Sequence, residues 1–249
     1  MDNIPKIIHY CWFGGNPHPQ LVEDCIASWK KYCPHYEIIE WNEMNFDIHS
    51  NLYVEEAYHA KKWAFVSDYV RLYAMYHYGG IYLDSDVELL QPIDRFLTEE
   101  AFTGFEANDS PVTAIMGAVK EQEFIGQLLH YYDNRHFAID GKYDLTTNTT
   151  IITNIFKEHH ICLNGKKQTI CGCTVYPEIT FCPNNIRRIF YRYSNKSFCV
   201  HHFMGSWGGK AHTARRALHQ RLRMYIVHAG RNLVGTENIG KIASKIKKR

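Results

Sequence analysis

Asp84 and Asp86 flank a single serine directly after the apolar run Ile81-Tyr82-Leu83. On an extended segment, residues two apart project to the same side, so both carboxylates can converge on one hard cation. Upstream, Phe65, Tyr69, Leu72, Tyr73 and Tyr76 repeat at helical spacing. Asp68 and Arg71, three apart on that helix, are neighbours on another of its faces. Gly79-Gly80 supplies the helix stop between the two pairs. A helical acid and base followed by paired acids at a strand end suggests a metal site beside a polar ligand.

Spacing separates the other readings of the paired acids. Asp84, Asp86 and Glu88 match the first, third and fifth ligands of an EF-hand, but that loop needs Gly sixth and Glu twelfth, where this chain has Leu89 and Arg95. Two acids exposed in a turn is the bland alternative. No Gly-x-Gly-x-x-Gly fingerprint occurs, and Lys210 does not sit in the Gly-x4-Gly-Lys-Ser/Thr frame of a phosphate-binding loop. Hydride transfer and P-loop hydrolysis therefore lose support. A strand-terminal acid pair without those motifs suits a divalent ion bridging the two phosphates of a nucleotide diphosphate.

The surrounding pattern is α/β. The run Ile7 to Phe13 reads as a buried strand closed by Gly14-Gly15-Asn16-Pro17. Leu21, Cys25, Trp29 and Cys33 form a helical stripe that Pro34 ends, and Tyr36 to Trp41 reads as a second strand. A β-α-β opening predicts a mainly parallel central sheet flanked by helices, with ligands at the carboxyl ends of the strands and Trp12 near them. Further strands are expected at 101–106, 113–118, 174–177 and 198–202, and helices near 124–132 and 149–159.

The 249 residues carry 45% hydrophobic side chains and a formal charge of only +2. That average hides an asymmetry. Residues 210–249 hold 11 Lys and Arg against one acid, Glu237, for a net +10, which leaves −8 on residues 1–209. The expectation is a catalytic domain over 1–209 and a basic amphipathic helical tail over 210–249, suited to an anionic membrane surface. Packing of the tail on the domain, or self-association, are its alternatives. Eight cysteines without a Cys-x-x-Cys pair, no signal-type N-terminus and no run of 18 apolar residues point to a cytoplasmic protein with reduced, buried thiols, peripheral on the inner membrane face at most.

Several short motifs carry a family resemblance: Ile4-Pro5-Lys6-Ile7-Ile8-His9-Tyr10-Cys11-Trp12-Phe13-Gly14, Ser28-Trp29, Ser67-Asp68-x-x-Arg71, Gly79-Gly80-x-Tyr82-x-Asp84-x-Asp86, and His202-x-x-x-Ser206-Trp207. In this order, across about residues 4–208, the chain resembles glycosyltransferase family 32, the group with a DXD-motif sugar-binding region. That group includes bacterial capsule and polysaccharide transferases, yeast α-mannosyltransferases and, more distantly, the glucosyltransferase domains of large clostridial toxins.

The resemblance implies a GT-A type fold, a nucleotide-sugar donor, usually UDP-linked, a Mn²⁺ or Mg²⁺ ion, and transfer of a hexose with retention of configuration. It puts Trp12 beside the nucleobase, Asp68 and Arg71 on the donor sugar, Tyr82 near the nucleoside, and Asp84 with Asp86 at the ribose and metal. His202 is expected as a further metal ligand, with Ser206 and Trp207 closing over the pyrophosphate; His201 is expected to face the other side of its strand. Where yeast relatives often carry Thr-Gly-Pro, this chain has Thr146 to Thr150, so Asn148 is a weaker candidate for sugar hydroxyls. Glu106, Asp109 and Asp144 are alternatives for the acceptor side. The acceptor would be a glycan or lipid-linked saccharide, as in capsule or surface-glycan synthesis, with no nucleic acid partner. A non-catalytic sugar-nucleotide or metal-binding module and a nucleotidyltransferase are the competing classes.

Overall fold

The computed structural model describes residues 3–107, 109–183 and 194–204. The basic tail of 210–249, with Ser206 and Trp207, lies outside the described residues. In chain order the elements are β1 (Ile7–Cys11), α1 (Gln20–Tyr32), β2 (Glu37–Trp41), α2 (Leu52–His59), α3 (Trp63–Tyr78), β3 (Gly80–Leu83) and β4 (Val87–Leu89). There follow β5 (Ala101–Ala107), β6 (Ser110–Ala118), α4 (Glu123–His130), β7 (Ala138–Ile139), β8 (Lys142–Tyr143) and α5 (Asn148–Glu158). The described part closes with β9 (Gln168–Ile170), β10 (Cys173–Tyr176), α6 (Glu178–Phe181) and β11 (Cys199–His201).

Seven strands form one sheet in the order β2-β1-β3-β6-β5-β10-β9. β2, β1 and β3 are parallel neighbours, β6 runs against β3 and β5, β10 is parallel to β5, and β9 is antiparallel to β10. Five of the seven strands thus point one way, as the β-α-β opening predicts.

Alternating residues of the central strands feed two cores. Ile8, Tyr10, Ile81 and Leu83 pack on one face with Val22, Cys25 and Trp29 of α1. Cys11 and Tyr82 pack on the other with α3, α4 and α5, through side chains such as Val66, Val70, Phe124 and Phe156. Both faces of β1 and β3 are covered, which is why those strands read as near-continuous apolar runs.

The expected helices over α1, α3, α4 and α5 are present, while α2, the β7–β8 hairpin and β9 were not anticipated. Asn51 caps α2 by accepting from the Val54 amide, and Thr147 caps α5 by accepting from Thr150. One expectation changes: the paired acids are not on an extended strand. β3 stops at Leu83, and Asp84-Ser85-Asp86 is a turn closed by the Val87 amide donating to the Asp84 carbonyl at 2.9 Å. A separate two-stranded sheet, β4 with β11, follows that turn and pairs His201 with Val87.

A candidate metal and nucleotide-sugar site

The turn at Asp84 to Asp86 is anchored from below by α1. The Trp29 indole N–H donates to the Val87 carbonyl at 2.7 Å, and the Leu89 amide donates to the Ser28 hydroxyl at 2.9 Å. The Ser28-Trp29 motif therefore holds β4 in place, and β4 fixes the turn ahead of it.

Each acid of the turn uses one oxygen for the protein. Asp84 Oδ1 accepts from the Tyr82 hydroxyl at 3.0 Å and pairs with Arg71 Nη2 at 3.2 Å. Asp86 Oδ2 accepts from the Met204 amide at 2.6 Å, which the chain delivers by turning through Phe203 at φ +52. The other two oxygens face one imidazole: His201 Nε2 lies 3.3 Å from Asp86 Oδ1 and 3.9 Å from Asp84 Oδ2.

Asp84, Asp86 and His201 each offer a ligand atom, and these lie within 4.8 Å of one another. Two carboxylate oxygens with one imidazole nitrogen form a mixed oxygen and nitrogen donor set able to hold a divalent cation. The acids already hold positive charge between them. Burial alone would lower the His201 pKa, yet Asp86 raises it to about 9. Burial would raise Asp86, yet His201 and the Met204 amide bring it down to about 2.

His201, rather than His202, stands in this group. His202 Nε2 lies 3.1 Å from Glu88 Oε2, while its backbone N–H donates to the Asp86 carbonyl. The geometry thus favours His201 over the expected His202, because neighbouring residues of an extended segment project to opposite sides. The register His201↔Val87 sets the phase, and it depends on a pairing between segments more than a hundred residues apart.

Asp68 and Arg71 are almost fully buried, 1% and 3% exposed. Arg71 Nη2 pairs with Asp68 Oδ1 at 3.0 Å, Nη1 donates to the Thr113 carbonyl at 2.8 Å, and the guanidinium lies over the Tyr82 ring at 4.6 Å. Arg71 is thus a strut shared between Asp68 and Asp84, and its charge is held by both acids. Burial pushes the Asp68 carboxyl up to about 7, against the pull of Arg71.

Asn148, the first residue of α5, closes the network from the far side. Its backbone N–H donates to Asp68 Oδ2 at 3.1 Å and its side-chain N–H to the Asp68 carbonyl at 2.8 Å. Its side-chain oxygen accepts from the buried Tyr132 hydroxyl at 2.7 Å. Both polar ends of Asn148 have protein partners, so it serves Asp68 more directly than a ligand. Tyr132 was not anticipated, because its aromatic spacing reads as core.

A cavity of about 390 Å³ joins these groups. Asp68, Arg71, Tyr82, Asp84, Asp86 and His201 line it, together with Trp12, Trp63, Glu106 and Asn148. Asp109 is exposed beyond the end of β5, and Asp144, half-buried, caps the Thr146 amide at 3.0 Å; neither lines the cavity. A larger cavity of about 1080 Å³ adjoins it and shares Trp12, Asn16 and Trp63.

Residues 19–103 match the family described as "Glycosyltransferase sugar-binding region containing DXD motif". Two Schizosaccharomyces pombe proteins are similar to it. Inositol phosphoceramide mannosyltransferase 1 is 27% identical over 41% of this chain and 34% of its own length. Inositol phosphoceramide mannosyltransferase 3 is 27% identical over 54% of this chain and 40% of its own. The chain therefore spans less than half the length of these curated relatives. Two solved structures resemble it loosely. The PaToxG glycosyltransferase has a TM-score of 0.45 at 14% identity, covering 63% of this chain and 69% of that one. A glycosyltransferase involved in glycosylation of the PBCV-1 major capsid has 0.46 at 15%, covering 87% and 100%.

Proposed function

We propose that this chain is a GT-A type glycosyltransferase that moves a hexose from a nucleotide diphosphate sugar to a hydroxyl of a saccharide acceptor. The observation that carries the reading is the single buried network linking the metal-capable group Asp84, Asp86 and His201 to the Asp68–Arg71 pair, all lining one cavity. A site that only bound a cation would have no need of the second pair. The matched sugar-binding family and the likeness to two fission-yeast mannosyltransferases support a sugar as the transferred group.

In this reading Asp84, Asp86 and His201 hold Mn²⁺ or Mg²⁺, which when bound neutralises charge on the departing diphosphate. Asp68 accepts hydroxyls of the donor sugar, and Arg71, locked between Asp68 and Asp84, keeps sugar and diphosphate ends at a fixed separation. Trp12 stacks on the nucleobase. Transfer proceeds with retention: the leaving phosphate takes the acceptor proton on the same face, so no side-chain nucleophile is required. A UDP-linked donor and an acceptor in surface-glycan or lipid-linked saccharide synthesis complete the proposal.

The catalytic unit spans 1–209, and the basic segment 210–249 docks it on the inner face of a membrane. Among the described residues, no helix is long and apolar enough to cross one. The test is a screen of nucleotide sugars with the full chain and Mn²⁺, with and without EDTA. One donor class is consumed and EDTA stops its consumption; a protein that consumes none under any metal condition contradicts the proposal.

A further inference from the structure

Two tryptophans, Trp12 and Trp63, line both the acid-bearing cavity and its larger neighbour. Each is half-buried, and each is held by dedicated partners. The Trp12 indole N–H donates to the Asn16 carbonyl at 2.6 Å, and the His18 ring meets Trp12 edge-on at 4.9 Å. His18 is in turn set between Glu23, at 2.9 Å, and Glu40, at 3.2 Å.

On the other wall, the Tyr58 ring meets Trp63 edge-on at 4.9 Å. The Tyr58 hydroxyl donates to Glu43 Oε1 at 3.0 Å, and the same oxygen accepts the Gly14 amide at 2.6 Å. Gly14 itself lies against the indole. A Cβ there would fall 2.7 Å from Trp63 Cε2, and its φ of +94 is one that side chains rarely adopt. Glu43 thus ties the loop after β1 to the residue that braces Trp63.

Aromatic rings clamped by their neighbours yet open to a cavity are stacking platforms, because a flat ligand ring gains contact without costing them rotamer freedom. Three carboxylates line the larger cavity, Glu23, Glu40 and Glu43, and each is committed to holding a wall. These three acids outnumber the one lysine of the lining, Lys61, so the space suits an uncharged ring better than a diphosphate. Trp63 is also the first residue of α3, and its carbonyl accepts from the Ser67 hydroxyl at 3.0 Å, next to Asp68. One rigid helix therefore sets the spacing between Trp63 and the buried acid.

We propose that Trp63 is a second aromatic wall of the nucleobase site, sharing the base with Trp12. This rests on the nucleotide-sugar reading and adds to it a binding residue outside the DXD block. Trp63 at the start of α3 and Trp12 after β1 then supply two walls, from two different elements, to one base where the cavities meet.

The test is calorimetric binding of UDP, GDP and ADP, and of inorganic pyrophosphate, each with Mn²⁺, to the full chain and to its Trp63→Leu and Trp63→Phe variants. Loss of one stacking partner weakens the best-bound nucleotide about ten-fold or more in Trp63→Leu. Trp63→Phe retains most of the affinity, and pyrophosphate binds all three proteins alike. Nucleotide binding by Trp63→Leu equal to the original chain overturns this inference alone. So does an equal loss of pyrophosphate, which would mean that α3 had moved. Failure of the unaltered chain to bind any of the three nucleotides overturns the nucleotide-sugar reading as well.

Discussion

His9 is held neutral by what faces its two ring nitrogens. The Trp41 indole, which can only donate, gives its N–H to Nδ1 at 3.1 Å, so the proton sits on Nε2 and is donated to the Gly79 carbonyl at 2.8 Å. Burial lowers its pKa to about 4, against the opposing pull of the Gly79 carbonyl. Between about pH 6.5 and pH 4 the unfolded chain binds a proton here that the folded chain does not, so this contribution to stability is complete above 6.5 and lost as pH falls. The loss is about 1.4 kcal/mol per pH unit, on the order of 3 kcal/mol in all. Urea unfolding at pH 7.5, 6.5, 5.5 and 4.5 tests this: His9→Gln should be less stable at pH 7.5, with the gap narrowing by pH 4.5. A gap independent of pH would contradict the neutral assignment. In the same way, the types of Asp68, Arg71, Asp84 and Asp86 announce charge chemistry, whereas the choice of His201 over His202 does not follow from type. They are adjacent histidines at the end of β11 and just beyond it, and the pairing of His201 with Val87 of β4 decides which one meets the acids.

At the scale of elements, periodicity identifies β1, α1, β2 and α3 because each buries an uninterrupted stripe or run. The eight-residue α2 carries Asn51 as a readable cap, but Leu52 and Tyr58 give its apolar face little contrast. The hairpin β7–β8 has two residues per strand and exposes Ile139 and Tyr143, so no burial pattern marks it. The hydrogen-bonded path from Tyr132 through the α5 start to Asp68 of α3 is likewise invisible to local patterns. Its members are 64 and 80 residues or more from Asp68 and touch only after folding. Tyr132→Phe should leave the Asn148 side-chain oxygen buried without its donor, at about 1–3 kcal/mol. The expected result is a lower urea midpoint together with weaker transfer at saturating donor, as Asp68 loses its brace. Unchanged stability and turnover would remove Tyr132 from the network.

For the molecule as a whole, the sheet order places the carboxyl end of β1, with Trp12, beside the turn that follows β3, with Asp84 and Asp86. The late strand β11 then returns to β4 and delivers His201 and Met204 to that turn. A site assembled from residues 12 to 204 is legible in the sequence as separate motifs, since each part has a type and a spacing of its own. Its closure is not, because the contacts that complete it are all long-range. If the acid pair and His201 hold the ion, as proposed, sugar transfer is metal-dependent through them. The most direct measurement is consumption of the donor, with Mn²⁺ and with EDTA, by the Asp86→Asn variant, its fold verified by circular dichroism. The expected result is a native-like spectrum with turnover reduced to the EDTA level of the unaltered chain; full Mn²⁺-dependent turnover by Asp86→Asn would rule out a metal role for the acid pair.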